Sequence, residues 1–113
     1  MELDRLKSSI WIQAQIRICS ISNLSAYVVK RGDPDAGAIF LHLNKHNDDN
    51  RIYYQTRTMS GQIAWSEAGD ISSFNDQEAY EYLEKQKQND PDLWILEIED
   101  PEEKYKFDGI IIK

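Results

Sequence analysis

Four carboxylates stand in two copies of one short motif, and they are the residues of this chain best suited to chemistry. The motif is Asp-Pro-Asp, and its carboxylates are Asp33, Asp35, Asp90 and Asp92. Oxygen ligands of this kind are preferred by hard cations such as Mg²⁺ and Ca²⁺. However, Asp favours the first position of a turn and Pro the second, so two tight turns would select the same residues. The motif therefore has two interpretations, a shared metal site or a pair of structural turns.

One aromatic and one basic residue stand beside these motifs. Trp94 follows the second motif, and Arg31 comes just before the first. An aromatic ring next to carboxylates can bind a cation or an arginine-bearing peptide. Arg31 also opens an Arg-Gly-Asp tripeptide, which in a chain with a single cysteine is most simply explained as a turn. The candidate binding residues are therefore Arg31, Asp33, Asp35, Asp90, Asp92 and Trp94.

Other residue types known from active sites have simpler explanations. His42 and His46 are four apart, but on a strand and its following loop that spacing does not bring two imidazoles to one face. Glu97 and Glu99 could form an acid–base pair, although two glutamates on an exposed strand face are ordinarily solvated. Cys19 is expected to be a buried, inert thiol. The sequence contains no nucleophile elbow or phosphate-binding glycine loop, so we predict no catalytic residue and no cofactor.

The charge of the chain is unevenly distributed along its length. The net charge is −7; residues 1–66 carry eight Lys/Arg against six Asp/Glu, whereas residues 67–113 carry five against fourteen. The acidic half would repel a nucleic acid and would suit a basic protein partner or a divalent cation. The single cysteine, the lack of a signal-peptide pattern and the lack of a long apolar run predict a cytoplasmic protein without a membrane partner.

The elements that must position these residues follow from hydrophobic periodicity. Residues 8–24 alternate like a strand but also fit a helix, which we favour because seventeen residues are too many for an ordinary strand. Ser8 or Ser9 would cap that helix, and its apolar stripe would consist of Trp11, Ala14, Ile18 and Ile21. Four strands in an antiparallel meander are predicted next, at Ala26–Arg31, Ala38–Asn44, Arg51–Arg57 and Gln62–Ser66.

A second helix and a further strand complete the prediction. Asn75 and Glu78 have the spacing of a capping box, and Pro91 ends the helix that they begin. From Trp94 the residues alternate between an apolar face and an acidic face, as in a half-buried strand. Residues 104–113 form either an edge strand or a flexible tail. We therefore predict a single α+β domain over residues 1–113, with an antiparallel sheet of about five strands and two helices packed on one face.

Four segments of this chain resemble a bacterial family known as domain of unknown function 1491. They occur here in the family's order and spacing, and are Lys7–Ala14, Lys30–Gly37, Trp65 and Asp90–Asp100. The resemblance runs from about Leu6 to about Asp100, and the two Asp-Pro-Asp blocks make it specific. It implies a helical first segment, although Ile16–Ser22 departs from the alanine- and arginine-rich family pattern. It implies no activity, because none is established for the family.

Two functions remain compatible with these observations. The first is a non-catalytic protein-interaction module that presents an acidic face or a sheet edge to a protein partner or to a second copy of itself. The second is a divalent-metal-dependent enzyme or sensor that uses the two Asp-Pro-Asp turns. The second function requires the four carboxylates to converge, so the distance between the turns discriminates between the two.

Overall fold

The structure is a computed structural model that describes residues 6–69 and 73–112. These residues form two helices and six strands. In chain order they are α1 (Ser8–Ile21), β1 (Ser25–Lys30), β2 (Ile39–Asn44), β3 (Asn50–Arg57), β4 (Ile63–Glu67), α2 (Asp76–Asn89), β5 (Trp94–Glu99) and β6 (Ile110–Ile112). Within the described ranges, no helix is long and apolar enough to cross a membrane.

The α+β class is confirmed, but the predicted sheet was wrong in strand number and in direction. The sheet has six strands in the order β1-β5-β2-β3-β4-β6. β5 is parallel to β2, and β6 is parallel to β4, while the other neighbouring pairs are antiparallel. The sheet is therefore mixed rather than antiparallel.

The predicted four-stranded meander is correct only for β2, β3 and β4. β5 lies between β1 and β2, although β3, β4 and α2 come between it and both of these strands along the chain. Five of the six residues of β2 are buried, as are four of the six of β5. Strands with near-continuous apolar residues lie in the middle of a sheet, where both faces are covered. We had assigned β5 only one apolar face, because Glu97 and Glu99 alternate with its hydrophobic residues.

The two helices lie on opposite faces of the sheet, which corrects the prediction of two helices on one face. Ile39, Leu41 and Leu43 of β2 pack with Trp11, Ile12 and Cys19 of α1. Phe40 of the same strand packs with Ala79 and Leu83 of α2. Because successive side chains of a strand point to opposite faces, the chain has a hydrophobic layer on each side of one sheet. A sequence with two amphipathic helices does not indicate which face each one covers.

The helix favoured for residues 8–24 is present over Ser8–Ile21, but its buried stripe differs from the predicted one. The buried residues of α1 are Ser8, Trp11, Ile12, Gln15 and Cys19. Ile18 and Ile21, which we had placed in the stripe, are exposed. In α2 the capping box of Asn75 and Glu78 is present with both hydrogen bonds, and the helix ends at Asn89 before the Asp90 turn, as expected.

One carboxylate in the C-terminal segment contacts two tryptophans. Residues 104–108 do not form a strand, whereas Ile110–Ile112 pairs with β4 as an edge strand with exposed side chains. Ahead of that strand, Asp108 accepts hydrogen bonds from Nε1 of Trp11 at 2.6 Å and from Nε1 of Trp65 at 3.1 Å. Asp108 thereby ties the last strand to α1 and to β4.

Replacing Asp108 with Ala should lower the free energy of unfolding by about 1–3 kcal/mol, because two indole N–H groups lose a charged acceptor. Denaturant titration followed by tryptophan fluorescence measures the loss. Asp108→Asn keeps one carbonyl acceptor and should cost less than Ala. A loss no larger than that of Glu102→Ala, a change at an exposed turn residue, would contradict this role.

Candidate functional site

The two Asp-Pro-Asp turns lie side by side at the start of β2 and β5. The amide of Asp33 donates to the carbonyl oxygen of Asp92 at 2.8 Å, and Nε1 of Trp94 donates to the carbonyl oxygen of Asp33 at 2.7 Å. Two glycines permit this approach. A Cβ atom on Gly32 would lie 2.2 Å from the Asp92 carbonyl oxygen, and one on Gly37 would lie 2.4 Å from it. The turns therefore meet through their backbones.

The carboxylates of these turns do not converge on a common point. Asp33 accepts from the amides of Asp35 and Ala36, and Asp90 accepts from the amide of Asp92, so the first carboxylate of each motif closes its own turn. Asp35 pairs with Lys7 at 3.7 Å. Among the described residues, no group of three or more His, Cys, Asp or Glu side chains is placed to hold a metal ion. The four Asp-Pro-Asp carboxylates therefore do not form the shared site that the metal-dependent function requires.

The first turn instead caps α1. The amides of Ser8 and Ser9 donate to the carbonyl oxygens of Asp35 and Pro34, and the Ser8 hydroxyl donates to the carbonyl oxygen of Gly37 at 2.7 Å. These bonds satisfy donors that a helix N-terminus leaves without a partner. The prediction of a serine side-chain cap was wrong, because the cap residue is Lys7 and its side chain makes no capping bond.

The basic residues next to the turns also serve this junction. The Arg31 guanidinium lies over the ring of Trp94, with Cζ 5.5 Å from the ring centroid. Nζ of Lys30 donates to the carbonyl oxygens of Pro91 and Leu93. All six candidate binding residues are thus brought together by the fold, and their contacts connect the starts of α1, β2 and β5.

A second constellation lies on the opposite face of the sheet, in a groove between the sheet and α2. The parallel pairing of β2 and β5 places His42 directly beside Glu97. The groove has a volume of about 250 Å³. Its polar wall consists of His42, Asn44, Asn50, Asp76, Glu84, Lys87 and Glu97. Val29, Tyr80 and Leu83 supply its apolar wall.

A chain of hydrogen bonds holds the polar wall in place. His42 is only 9% exposed, and its Nε2 lies 2.7 Å from Oδ1 of Asn50. Nδ2 of Asn50 donates to the carbonyl oxygen of Phe74 and to Oδ1 of Asp76. On the other side, Nδ2 of Asn44 donates to Oε2 of Glu97 at 3.1 Å. The first set of bonds joins β2, β3 and the start of α2, and the second joins β2 to β5.

These bonds determine which nitrogen of His42 carries the proton. Because both Asn50 amide hydrogens have acceptors, it is the oxygen of Asn50 that faces His42, and Nε2 must be the donor. In the neutral ring Nδ1 is then an acceptor. It lies 3.7 Å from Oε1 of Glu97, beyond hydrogen-bond range. A neutral ring thus presents an acceptor to Glu97, whereas a protonated ring would form an ion pair with it.

The groove is acidic. It has three carboxylates, those of Asp76, Glu84 and Glu97, against the single ammonium group of Lys87. Lys87 already forms an ion pair with Glu84. A positively charged group entering the groove would meet uncompensated negative charge.

Sequence reasoning named His42 and Glu97 but did not connect them. Fifty-four residues separate the two positions, and only the parallel pairing of their strands makes them neighbours. Asn50 lies between two predicted strands, and nothing in the sequence marks it as buried. A usable signal was the continuous apolar run around His42, which is typical of a central strand with both faces covered.

The same fold occurs in solved structures. The family described as "Protein of unknown function (DUF1491)" matches residues 6–108. The chain belongs to the DUF1491 family. A crystal structure of a DUF1491 family protein from Caulobacter crescentus CB15 shares 25% identity with a TM-score of 0.83, covering 96% of this chain and 100% of that one.

Two solution structures are also similar to this DUF1491 chain. An NMR structure of a DUF1491 family protein from Caulobacter crescentus CB15 has 24% identity and a TM-score of 0.80, covering 96% of this chain and 97% of that one. The solution structure of protein Atu0922 from A. tumefaciens has 27% identity and a TM-score of 0.70, and the match covers 85% of this chain and 86% of that one. Comparison with curated proteins gives no match.

A further polar cluster lies where β5 ends, on the same sheet face as the groove. The hydroxyl of Tyr27 donates to Oε2 of Glu99 at 2.6 Å, and Nε2 of His46 lies 3.1 Å from Oε1 of the same residue. These bonds, first that of Tyr27 and then that of His46, lower the pKa of the Glu99 carboxyl group. Hydrogen bonding to Glu99 also raises the pKa of the Tyr27 hydroxyl.

The Tyr27 contact predicts a pH effect. Tyr27→Phe should raise the pKa of Glu99, because the ionised carboxylate loses a donor. The stabilisation due to this bond is present above the pKa of an unfolded glutamate, about 4.3, and is lost as the pH falls through the lower folded value. Carbon-detected NMR titration of the glutamate carboxyls measures the shift, with Glu102 as the internal control. An unchanged Glu99 titration would refute the contact.

The junction at the start of α1 predicts a difference between two adjacent serines. Ser8→Ala should cost about 1–2 kcal/mol of unfolding free energy, because the buried Gly37 carbonyl loses its donor. Ser9→Ala is the matched control and should be neutral within about 0.5 kcal/mol, since the amide of Ser9 rather than its side chain makes the contact with the turn. Thermal or urea unfolding distinguishes the two. Equal costs would show that the serines act as ordinary helix residues.

Proposed function

We propose that the protein is a non-catalytic protein-interaction domain that binds a basic segment of a partner protein in the groove between α2 and the sheet. The observation that carries this proposal is a concave, acidic surface on which Asn44 holds the Glu97 carboxylate and Asn50 holds the Asp76 carboxylate by hydrogen bonds. Preorganised acceptors bind a cation without the cost of ordering them first.

The charge of the groove supports a basic partner. Glu84 and Glu97 border it from α2 and from β5, so negative charge faces the groove from both sides. Apart from Lys87, which is paired with Glu84, the lining contains no lysine or arginine among the described residues. Complementary charge of this kind selects partners and speeds their encounter more than it adds affinity.

The size of the groove supports a side chain rather than a free cofactor. Pockets for small molecules and cofactors have volumes of about 300–1,000 Å³, and this groove has about 250 Å³. One long side chain of a bound segment matches such a volume. Flanking residues of the segment would remain on the outer surfaces of α2 and β1, where Tyr80 and Val29 are exposed.

Binding of a basic peptide tests the proposal. A repeat peptide of about a dozen residues containing lysine and arginine, titrated into the protein by isothermal calorimetry, should bind with an affinity that falls as salt is added. Replacing both Glu84 and Glu97 with Gln should weaken binding by tenfold or more, because two charge-assisted contacts are lost.

Glu81→Gln provides the matched control, since it removes one negative charge from an exposed position of α2. It should change affinity by less than about twofold, as expected for a charge at the rim. If the glutamine variants in the groove bind the peptide as tightly as the wild type, or if an acidic peptide of equal length binds equally well, the proposed function is wrong.

A further inference from the structure

We propose that the outer face of α1 is a second docking surface, which binds an acidic amphipathic helix of a partner protein. The surface consists of an apolar stripe on α1 and of a small cavity beside it, and basic side chains border both. α1 and α2 cover opposite faces of the sheet. The proposal is therefore independent of the function proposed for the groove.

The stripe consists of isoleucines that the fold leaves in solvent. Ile10, Ile18 and Ile21 are 47%, 51% and 75% exposed. Ala14 lies among them at helical spacing. Trp11 and the other buried residues of the helix belong to the core, so the stripe is a second apolar side of α1. At 1.5 Å per residue it is about 16 Å long, which matches three turns of a partner helix.

A cavity adjoins the C-terminal half of this stripe. It has a volume of about 130 Å³ and lies between the end of α1 and the segment that follows β5. Its lining includes Ile18, Leu24, Lys104, Tyr105 and Lys106. Pockets for small molecules have volumes of about 300–1,000 Å³, so this cavity suits a single apolar side chain. Side chains that anchor in such pockets carry much of the binding energy of protein interfaces.

The charge of this surface selects an acidic partner. Residues 6–32 contain no Asp or Glu, although the chain has 20 of them, and Arg17 is the one charged residue within α1. Lys104 and Lys106 add two exposed ammonium groups at the cavity. Lys104 pairs with the exposed Glu102 at 3.1 Å, a contact that solvent largely screens. Carboxylates beside the apolar side of a partner helix would meet complementary charge here.

The same charges disfavour two other occupants. A second copy of α1 would bring together two basic helices that contain no Asp or Glu, and like charges placed across an interface oppose association. An anionic membrane would face a molecule of net charge −7, and a flat surface would leave the cavity beside Ile18 unfilled. A partner helix contacts one face of the chain only and can insert a side chain into the cavity.

Three peptides of equal length test the proposal on the full chain. The first is a helix of about 16 residues with leucine on one side and glutamate on the other. The second has lysine in place of each glutamate, and the third has the composition of the first in an order without an apolar side. In nitrogen-15 NMR titrations the glutamate peptide should shift amide signals of α1 and of residues 104–106, with an affinity that falls as salt is added.

The other two peptides should leave these signals unchanged at about tenfold higher concentration. The lysine peptide is expected at the groove on the opposite face, so the location of the shifts, rather than binding alone, is the criterion.

Two variants identify the responsible side chains. Ile18→Ala and Lys106→Glu should each weaken binding of the glutamate peptide by about tenfold. Both side chains are exposed, so both variants should keep the fold. Ile111→Ala is the matched control, because it shortens an isoleucine of similar exposure on the edge strand β6. It should change the affinity by less than about twofold.

Shifts confined to α2, equal shifts of α1 by the glutamate peptide and its reordered version, or unchanged affinity in either variant would overturn the proposal. Two further measurements would assign the surface to another occupant and overturn it as well. One is dimerisation in sedimentation velocity that Ile18→Ala abolishes. The other is flotation of the protein with phosphatidylglycerol vesicles that Lys106→Glu abolishes.

Discussion

The parallel contact between β2 and β5 is the interaction on which the rest of the structure depends. It is secured where the strands begin, by the bond from the Asp33 amide to the Asp92 carbonyl and by the bond from the Trp94 indole to Asp33. Parallel strands have no tight turn between them, so the chain must leave and return through β3, β4 and α2. Gly32 and Gly37 allow the two backbones to approach closely enough for this pairing.

Two hydrophobic layers follow from this central pair. Both strands present apolar side chains to both faces, so each face requires a cover, and α1 and α2 provide one each. The Asp33 turn also accepts the first amides of α1, which couples the position of that helix to the strand pair. The repeated Asp-Pro-Asp motif is therefore explained by its turns and its backbone contacts, while the carboxylates of Asp33 and Asp90 close the turns themselves.

The groove is a consequence of the same pairing. The register of β2 and β5 places His42 beside Glu97. The β2–β3 hairpin brings Asn50 to the other side of the His42 imidazole. Asp76 then joins through the start of α2. His42 and Glu97 border the groove together, with Nδ1 of the imidazole 3.7 Å from Oε1 of the carboxylate.

The sequence by itself determined the local elements. It predicted the capping box of Asn75, the end of α2 before Pro91, the helical N-terminal segment and the strands of the β2–β3–β4 meander, because all of these depend on residues a few positions apart. Only the tertiary structure decided that β5 enters the middle of the sheet, that the helices occupy opposite faces, and that His42 meets Glu97. Those outcomes depend on pairing between distant segments, and a hydrophobic pattern specifies that a strand must be covered without specifying which strand or helix covers it.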